Sequence, residues 1–483
     1  MITQDDVLYM IVTDRFADGD PQNNGVVDRS SLERSHGGDL QGILEHLPYL
    51  KELGVSVLWI TPVYPNPLDA YHGYHPLDFE AVDPRLCSAE LGPSGSRETL
   101  RRFVEIVHEH GLKVMLDVII GHTAPGHPWL RERPSWFNEN SPNPQKWWIW
   151  GLPDLNHDQL DVNEYFARNV LDWMGTGVDA IRIDAARHIG TPFWCIFKLF
   201  ARGLRPDVTL VGEVWDASVS QVAPYQDLHD LDSMFGYPLY HAAVEVFTQD
   251  DTFARLARPE LSPDEPDGIF DEDPAYRNAY KLVTFLGNHD TPRFFYLAGG
   301  TEKPDEALQR TRLALTFLFT TRGIPQLYYG DELAMDGGPH PDNRQDMAWS
   351  WLDPGRGPAV ETSRAASLRD FTRELILLRR ASTALRYGLL TTLYVTPTLY
   401  AYARTFPQDL RLVALNNSPK AVEVVIPVHP NPRLSSLARV CLPEGMRLVD
   451  TLGQAADTQI VNGCAAVRLG RRSGAVFTPA APR

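Results

Sequence analysis

The chain has 483 residues, 43% of them hydrophobic and 22% charged, which fits one large folded unit with a smaller one beside it and excludes a low-complexity polymer. A formal charge of -17 argues against nucleic acid and anionic membrane as partners, because both would repel it, whereas a neutral substrate would not be repelled. Met1-Ile2-Thr3-Gln4-Asp5-Asp6 lacks the basic region and apolar stretch of a secretory leader, and no run reaches membrane-spanning length, so a cytoplasmic protein is expected.

Val7 to Thr13 reads as the first strand. Leu40, Ile43, Leu44, Leu47 and Leu50 then follow a helical period, Gly54 stops the helix, and Val55 to Ile60 reads as a buried strand. The cycle repeats with Leu100, Phe103, Val104 and Val107 before Val114 to Ile120, and with Phe166, Val170 and Met174 before Val178 to Ile183. Val208 to Val214, Leu231 to Phe235, Leu282 to Leu286 and Ile324 to Tyr329 complete eight strands, the number that an α/β fold of the (β/α)8 barrel type requires. Gly121 to Asp161, rich in Pro, Asn and Trp, is the one long, helix-poor connection and is expected to be a small inserted subdomain.

After the helix around Leu368 to Arg380 the texture becomes all-β. Leu393 to Thr405, Leu410 to Leu415, Ala421 to Val428, Met446 to Val449 and Ala465 to Leu469 read as strands of a C-terminal sandwich. The expected division is a barrel over 1–388, an insertion over 121–161 and a β-sandwich over 389–483. Cys87, Cys195, Cys441 and Cys464 show no paired spacing and read as buried thiols.

Three acids, Asp184, Glu213 and Asp290, stand at the C-terminal ends of apolar strands, where the catalytic side chains of a barrel converge. Carboxylates beside buried runs are costly unless paired or used, and glycoside hydrolysis is the chemistry that most often uses them. Arg182 lies two residues before Asp184, on the same strand face, and would keep Asp184 ionised. Val211, Val214 and Trp215 around Glu213 would raise its pKa, as a proton donor requires. The alternative is a set of structural ion pairs at the barrel rim.

These segments resemble the α-amylase superfamily, and the resemblance runs over nearly the whole chain. Asp117-Val-Ile-Ile-Gly-His122, Ile181-Arg-Ile-Asp-Ala-Ala-Arg-His188, Glu213-Val-Trp215 and Leu286-Gly-Asn-His-Asp290 resemble its first four conserved regions, in order. Leu152-Pro-Asp-Leu-Asn156 is similar to the fifth. The resemblance implies Asp184 as nucleophile, Glu213 as acid/base and Asp290 as a third carboxylate gripping the distorted sugar. It also implies that Arg182, His72, His122 and His289 line the site of the cleaved residue, that Tyr74 stacks on that sugar, that Arg187 and His188 face the leaving side, and that Arg344 lies toward the non-reducing side.

Asp18-Gly-Asp20-Pro-Gln-Asn23-Asn24 gathers hard oxygen ligands in one turn, which suits calcium, although an Asx-rich turn has the same composition. The segment resembles a structural calcium loop of cyclodextrin-forming relatives, which implies completion by the Gly37 carbonyl and Asp39. At the commoner family site Asp154 and His188 match, but Gly121 stands where a side-chain oxygen is usual. Trp150, at the end of Trp147-Trp148-Ile149-Trp150, reads either as a sugar platform across the cleft or as packing. The expected activity is retaining hydrolysis of α-1,4 bonds in starch-type or maltooligosaccharide substrates. An α-glucan transferase on the same scaffold, or an inactive sugar-binding relative, are the alternatives, and the oligomeric state is open.

Overall fold

The computed structural model of the chain describes residues 1–138, 151–258, 267–353, 356–428 and 442–480. Eight short parallel strands form its centre: β1 (Leu8–Ile11), β2 (Val57–Ile60), β3 (Lys113–Val118), β4 (Ala180–Ile183), β5 (Thr209–Gly212), β6 (Ser233–Met234), β7 (Val283–Phe285) and β8 (Ile324–Tyr328). Their order is β6-β5-β4-β3-β2-β1-β8-β7, and a parallel bridge from Phe235 to Val283 joins the two ends, so the sheet closes into a barrel. Nearly every strand residue is buried, because helices cover the outside while side chains fill the inside.

The covering helices are α1 (Leu40–Glu45), α2 (Leu47–Leu53), α3 (Arg97–Glu109), α4 (Leu160–Met174), α5 (Thr191–Leu204), α6 (Tyr237–Gln249), α7 (Pro304–Thr320) and α8 (Ala359–Ala381). The single helix expected over Leu40 to Leu50 is two. It breaks at His46, whose ring bonds back to the Gly42 carbonyl at 2.8 Å, and Pro48 starts a new first turn. Gly54 ends α2 in the left-handed conformation, φ 98°. The third connection is not the only long, helix-poor one, since residues 61–96 between β2 and α3 carry just two short 3-10 turns.

The C-terminal part is an antiparallel sandwich of β9 (Leu389–Val395), β10 (Leu399–Phe406), β11 (Asp409–Asn416), β12 (Val422–Pro427), β13 (Arg447–Asp450), β14 (Thr458–Val461), β15 (Cys464–Leu469) and β16 (Ser473–Pro479). The strand expected over Leu393 to Thr405 is a hairpin that turns at Thr396–Thr398, and β14 and β16 were not foreseen. Its core holds Leu412, Ile426, Leu448, Ile460 and Phe477.

One buried arginine joins the sandwich to the barrel, and a second beside it ties α8 to the end of α7. Arg379 of α8 donates to the carbonyls of Phe319, Thr321 and Gly323, and Arg404 of β10 to those of Thr320, Thr321 and Gly388. They cap the C-terminal end of α7, where carbonyls lack partners and the helix dipole favours a cation. Of the cysteines, Cys87 is buried, but Cys195 is exposed and Cys464 half-buried, because each stands on an outward-facing position; Cys441 lies outside the described residues. Among the described residues no helix is long and apolar enough to cross a membrane.

Candidate active site

The C-terminal ends of β3, β4 and β5 meet on one guanidinium. Arg182, 1% exposed, places Nη1 at 2.8 Å from Asp117 Oδ1 and 2.7 Å from Asp184 Oδ1, and Nη2 at 2.7 Å from Glu213 Oε2. Trp59 Nε1 and the Tyr74 hydroxyl both donate to Asp117 Oδ2, at 3.2 and 2.7 Å. Beyond Asp184 the chain turns sharply through Ala185, a non-glycine residue at φ 45°. This left-handed residue aims its N–H at Glu213 Oε2, 3.0 Å away, so local backbone strain ties the β4 end to the β5 end.

Glu213 is not walled by apolar side chains as its sequence neighbours suggested. It accepts from Arg182, from Ala185 N and from the Tyr237 hydroxyl at 3.0 Å, and that hydroxyl in turn accepts from Asn288 Nδ2 at 3.2 Å. Tyr237, at the start of α6, escaped the sequence analysis because no motif or spacing singles it out. Trp215, 44% exposed, stacks on Tyr237 at 5.1 Å and presents its other surface to the cleft.

Asp290 stands across the cleft. Arg344 Nη2 donates to its Oδ1 at 3.0 Å, and His289 Nε2 lies 3.1 Å from Oδ2. Arg344 Nε and Asn343 Nδ2 both donate to the His289 carbonyl at 2.8 Å, which fixes the loop after β7 to the loop after β8. The Tyr74 ring stacks on His289 at 5.0 Å, with Tyr74 N donating to His72 Nδ1 at 3.0 Å. His122 Nε2 lies 3.0 Å from the Tyr74 carbonyl.

Of these residues Asp184, Glu213, Asp290, Trp215, Tyr74 and Arg344 line an open cleft of about 460 Å³, with the rings of His72, His122 and His289, while Arg182 and Tyr237 lie behind it. Arg187 pairs with Asp216 at 3.0 Å on the turn after β4, beside the half-buried His188. The geometry thus gathers Asp184, Glu213, Asp290, Arg182, Arg344, His72, Tyr74, His122 and His289. Trp150 lies outside the described residues.

One cation against three carboxylates, two of them buried and Asp184 at the cleft wall, leaves the cluster with a surplus of negative charge. Burial pushes the Asp184 carboxyl well above its usual range, Arg182 opposes this, and the charges of Glu213 and Asp117 add to it. The sequence expectation of an Asp184 held low by Arg182 is therefore corrected: one guanidinium shared three ways does not offset burial and two like charges. Burial likewise pushes Asp117 up to about 6. Burial lowers His122 to about 4 and holds His72 and His289 well below the ordinary imidazole value, so near neutrality these rings are uncharged hydrogen-bonding groups.

At the N-terminal turn, Asp18 Oδ1, Asn23 Oδ1 and Asn24 Oδ1 are buried without a hydrogen-bond partner. The amide of Asn24 donates to Asp18 Oδ2, and that of Asn23 to Asp39 Oδ2, each at 2.9 Å, and Arg29 Nη2 also donates to Asp18 Oδ2 at 2.9 Å, which leaves Oδ1 of each of Asp18, Asn23 and Asn24 open. Gly37 sits at φ 90°, and a Cβ there would lie 2.6 Å from Asn24 Oδ1. Three buried oxygens of one turn without donors, one of them against the open side of Gly37, are of the chemistry that a hard cation takes. At the other family position Gly121 offers no side chain, and Asp154 Oδ2 accepts from Asn138 at 2.7 Å. Among the described residues no three or more His, Cys, Asp or Glu side chains form a metal-holding group.

The family model for the α-amylase catalytic domain matches residues 10–151 and 146–375. The chain is 30% identical to neopullulanase 2 of Thermoactinomyces vulgaris over 87% of its own length and 71% of that protein's. It is 29% identical to the β/α-amylase of Paenibacillus polymyxa over 98% of its length, but spans only 37% of that protein. Among solved structures, an Anoxybacillus α-amylase aligns with a TM-score of 0.83 at 31% identity, covering 99% of both chains. An α-amylase of Geobacillus thermoleovorans, complexed with acarbose, aligns at 0.80 and 30% identity over 100% of each.

Proposed function

The chain belongs to the α-amylase family of glycoside hydrolases, and from that premise we propose that it hydrolyses α-1,4-glucosidic bonds in starch-type or maltooligosaccharide substrates with retention of configuration. The observation that carries this is the Arg182 fork, with Asp184 on one tine and Glu213 on the other. Two carboxyls held on one guanidinium favour the separation of about 5 Å used by retaining pairs over the roughly 6.5–9.5 Å of inverting ones.

Asp184 attacks the anomeric carbon while Glu213 protonates the departing oxygen, which leaves a glycosyl ester on Asp184. Glu213, now a carboxylate, takes a proton from water as that water opens the ester. Asp290, held by Arg344 and His289, grips hydroxyls of the distorted ring. The neutral rings of His72, His122 and His289 hydrogen-bond the same residue without adding charge, and Tyr74 lines its face. Arg187 and His188 lie toward the leaving side. Asp18, Asp20, Asn23, Asn24, the Gly37 carbonyl and Asp39 would hold a calcium ion, whose role is to brace the start of the barrel.

Proton NMR of maltooligosaccharide cleavage tests this. The first reducing ends formed should be α-anomers, and β-anomers at early times would refute retention. Transfer to a sugar acceptor is the second reading, favoured by the exposed ring of Trp215 in the cleft. Trp215→Ala should then lower the transfer-to-hydrolysis ratio about threefold, and an unchanged ratio would remove that reading.

A further inference from the structure

Both oxygens of Glu213 meet donors, and the donors differ in kind. Oε2 lies 2.7 Å from Arg182 Nη2 and accepts from Ala185 N at 3.0 Å, and neither nitrogen can accept in return. The acid proton therefore belongs on Oε1. There the one partner among the described residues is the Tyr237 hydroxyl, at 3.0 Å. That hydroxyl is itself oriented. Asp290 N donates to Asn288 Oδ1 at 2.9 Å, which turns the other end of the amide toward Tyr237, and Nδ2 donates to the phenol oxygen at 3.2 Å. With an amide hydrogen on that oxygen, the hydrogen of Tyr237 itself points to Glu213 Oε1. The ring is fully buried, stacked on Trp215 at 5.1 Å and edge-on to Phe285 at 5.1 Å. Burial and the charge of Glu213 hold the phenol well above its ordinary pKa, so it stays a donor near neutrality.

We propose that Tyr237, aimed by Asn288, is a positioning residue for proton donation: its hydrogen waits behind Oε1 for the charge that appears there when the proton leaves. This rests on the reading of Glu213 as the acid/base. As Asp184 attacks the anomeric carbon, the bond to the glycosidic oxygen breaks and that oxygen takes the Glu213 proton. The electron pair of the O–H bond stays on Oε1. A hydrogen bond to a carboxylate is about twice as strong as one to a neutral oxygen, so the Tyr237 contact tightens as the charge forms. It thus favours the transition state over the bound substrate. When water opens the glycosyl ester, Oε1 takes a proton and the same contact must loosen. The hydroxyl aids proton donation and hinders proton capture.

Tyr237→Phe keeps the ring and removes the hydroxyl. On maltotriose, whose leaving sugar needs the proton, kcat/KM should fall about tenfold. On α-glucosyl fluoride, whose departure needs none, release of fluoride in the first turnover should stay within about twofold. The alkaline limb of kcat/KM on maltotriose should move up by about one pH unit, because a donor to the carboxylate form is gone. Arg182 and Asp184 of the β4 end, Asp117 of β3, and His289 and Asp290 across the cleft also face Glu213. All five are present in both proteins, so the shift reports the hydroxyl. Equal losses on the two substrates would make Tyr237 a packing residue and overturn the proposal, as would an undiminished rate on maltotriose or an unmoved alkaline limb. Glu213→Gln tests the reading beneath it, and should abolish cleavage of maltotriose while still releasing fluoride once. If Glu213→Gln cleaves maltotriose, the acid/base reading falls and this proposal with it. If Glu213→Gln shows the selective loss and Tyr237→Phe does not, this proposal falls alone.

Discussion

Two buried arginine clusters in this molecule have opposite charge balances. At the catalytic rim one cation, Arg182, faces three carboxylates. Burial disfavours its charge, but Asp117, Glu213 and Asp184 outweigh that and hold its pKa well up. At the seam between barrel and sandwich, Arg379 and Arg404 face main-chain carbonyls, and burial pushes them down to about 9 and about 10. The seam satisfies the carbonyls of Phe319, Thr320 and Thr321 at the end of α7 with two cations and, among the described residues, no paired carboxylate. The rim instead keeps more anions than its cation can neutralise, at the wall of the open cleft. A surplus of that kind is destabilising, and it is where proton transfer and nucleophilic attack are arranged.

Asp184→Asn probes the rim and should have the largest effect. Turnover should fall at least about 10⁴-fold while the fold persists. Because the folded pKa of Asp184 is raised, its contribution to stability is full below the unfolded value of about 3.9 and is lost as pH rises above it. Asn carries no such loss, so the variant's urea midpoint should gain on that of the natural chain between pH 4 and 7. A constant difference across that range would break the comparison.

Arg404→Met probes the seam and should do the reverse, lowering stability by about 3 kcal/mol as its carbonyls lose a charged donor, with kcat in the cold unchanged. Urea titration and assays at low temperature measure both, and a selective loss of kcat would mean that the seam serves the site. Chelation of calcium should have the smallest effect, lowering Tm by several degrees with activity in the cold retained. Calorimetry showing no shift with added calcium would remove the ion from the N-terminal turn.

The eight strands were legible because a strand buried on both faces leaves an unbroken apolar run, and the acids that end β4, β5 and β7 stand out against it. What lay hidden depends on contacts between distant segments. The donors on Glu213 come from β4 and α6, so Val211 and Val214 misrepresented its surroundings. Tyr237 belongs to no pattern along the chain. Leu393 to Thr405 is apolar on both sides of Thr396-Pro397-Thr398, which made one strand of two, although Pro397 cannot donate to a ladder and marks the turn. Cys195 looked buried in an apolar segment, because a helix that is apolar all round does not reveal which face points outward.

The central claim is that Asp184 forms the glycosyl ester. Glu213→Gln, incubated with an activated α-glucosyl fluoride whose departure needs no acid, should accumulate that ester because the variant lacks the base that activates water. Peptide mass spectrometry should then place one glycosyl increment on the peptide containing Asp184, removable by added azide. An increment on another residue, or none while fluoride is still released, would contradict the account.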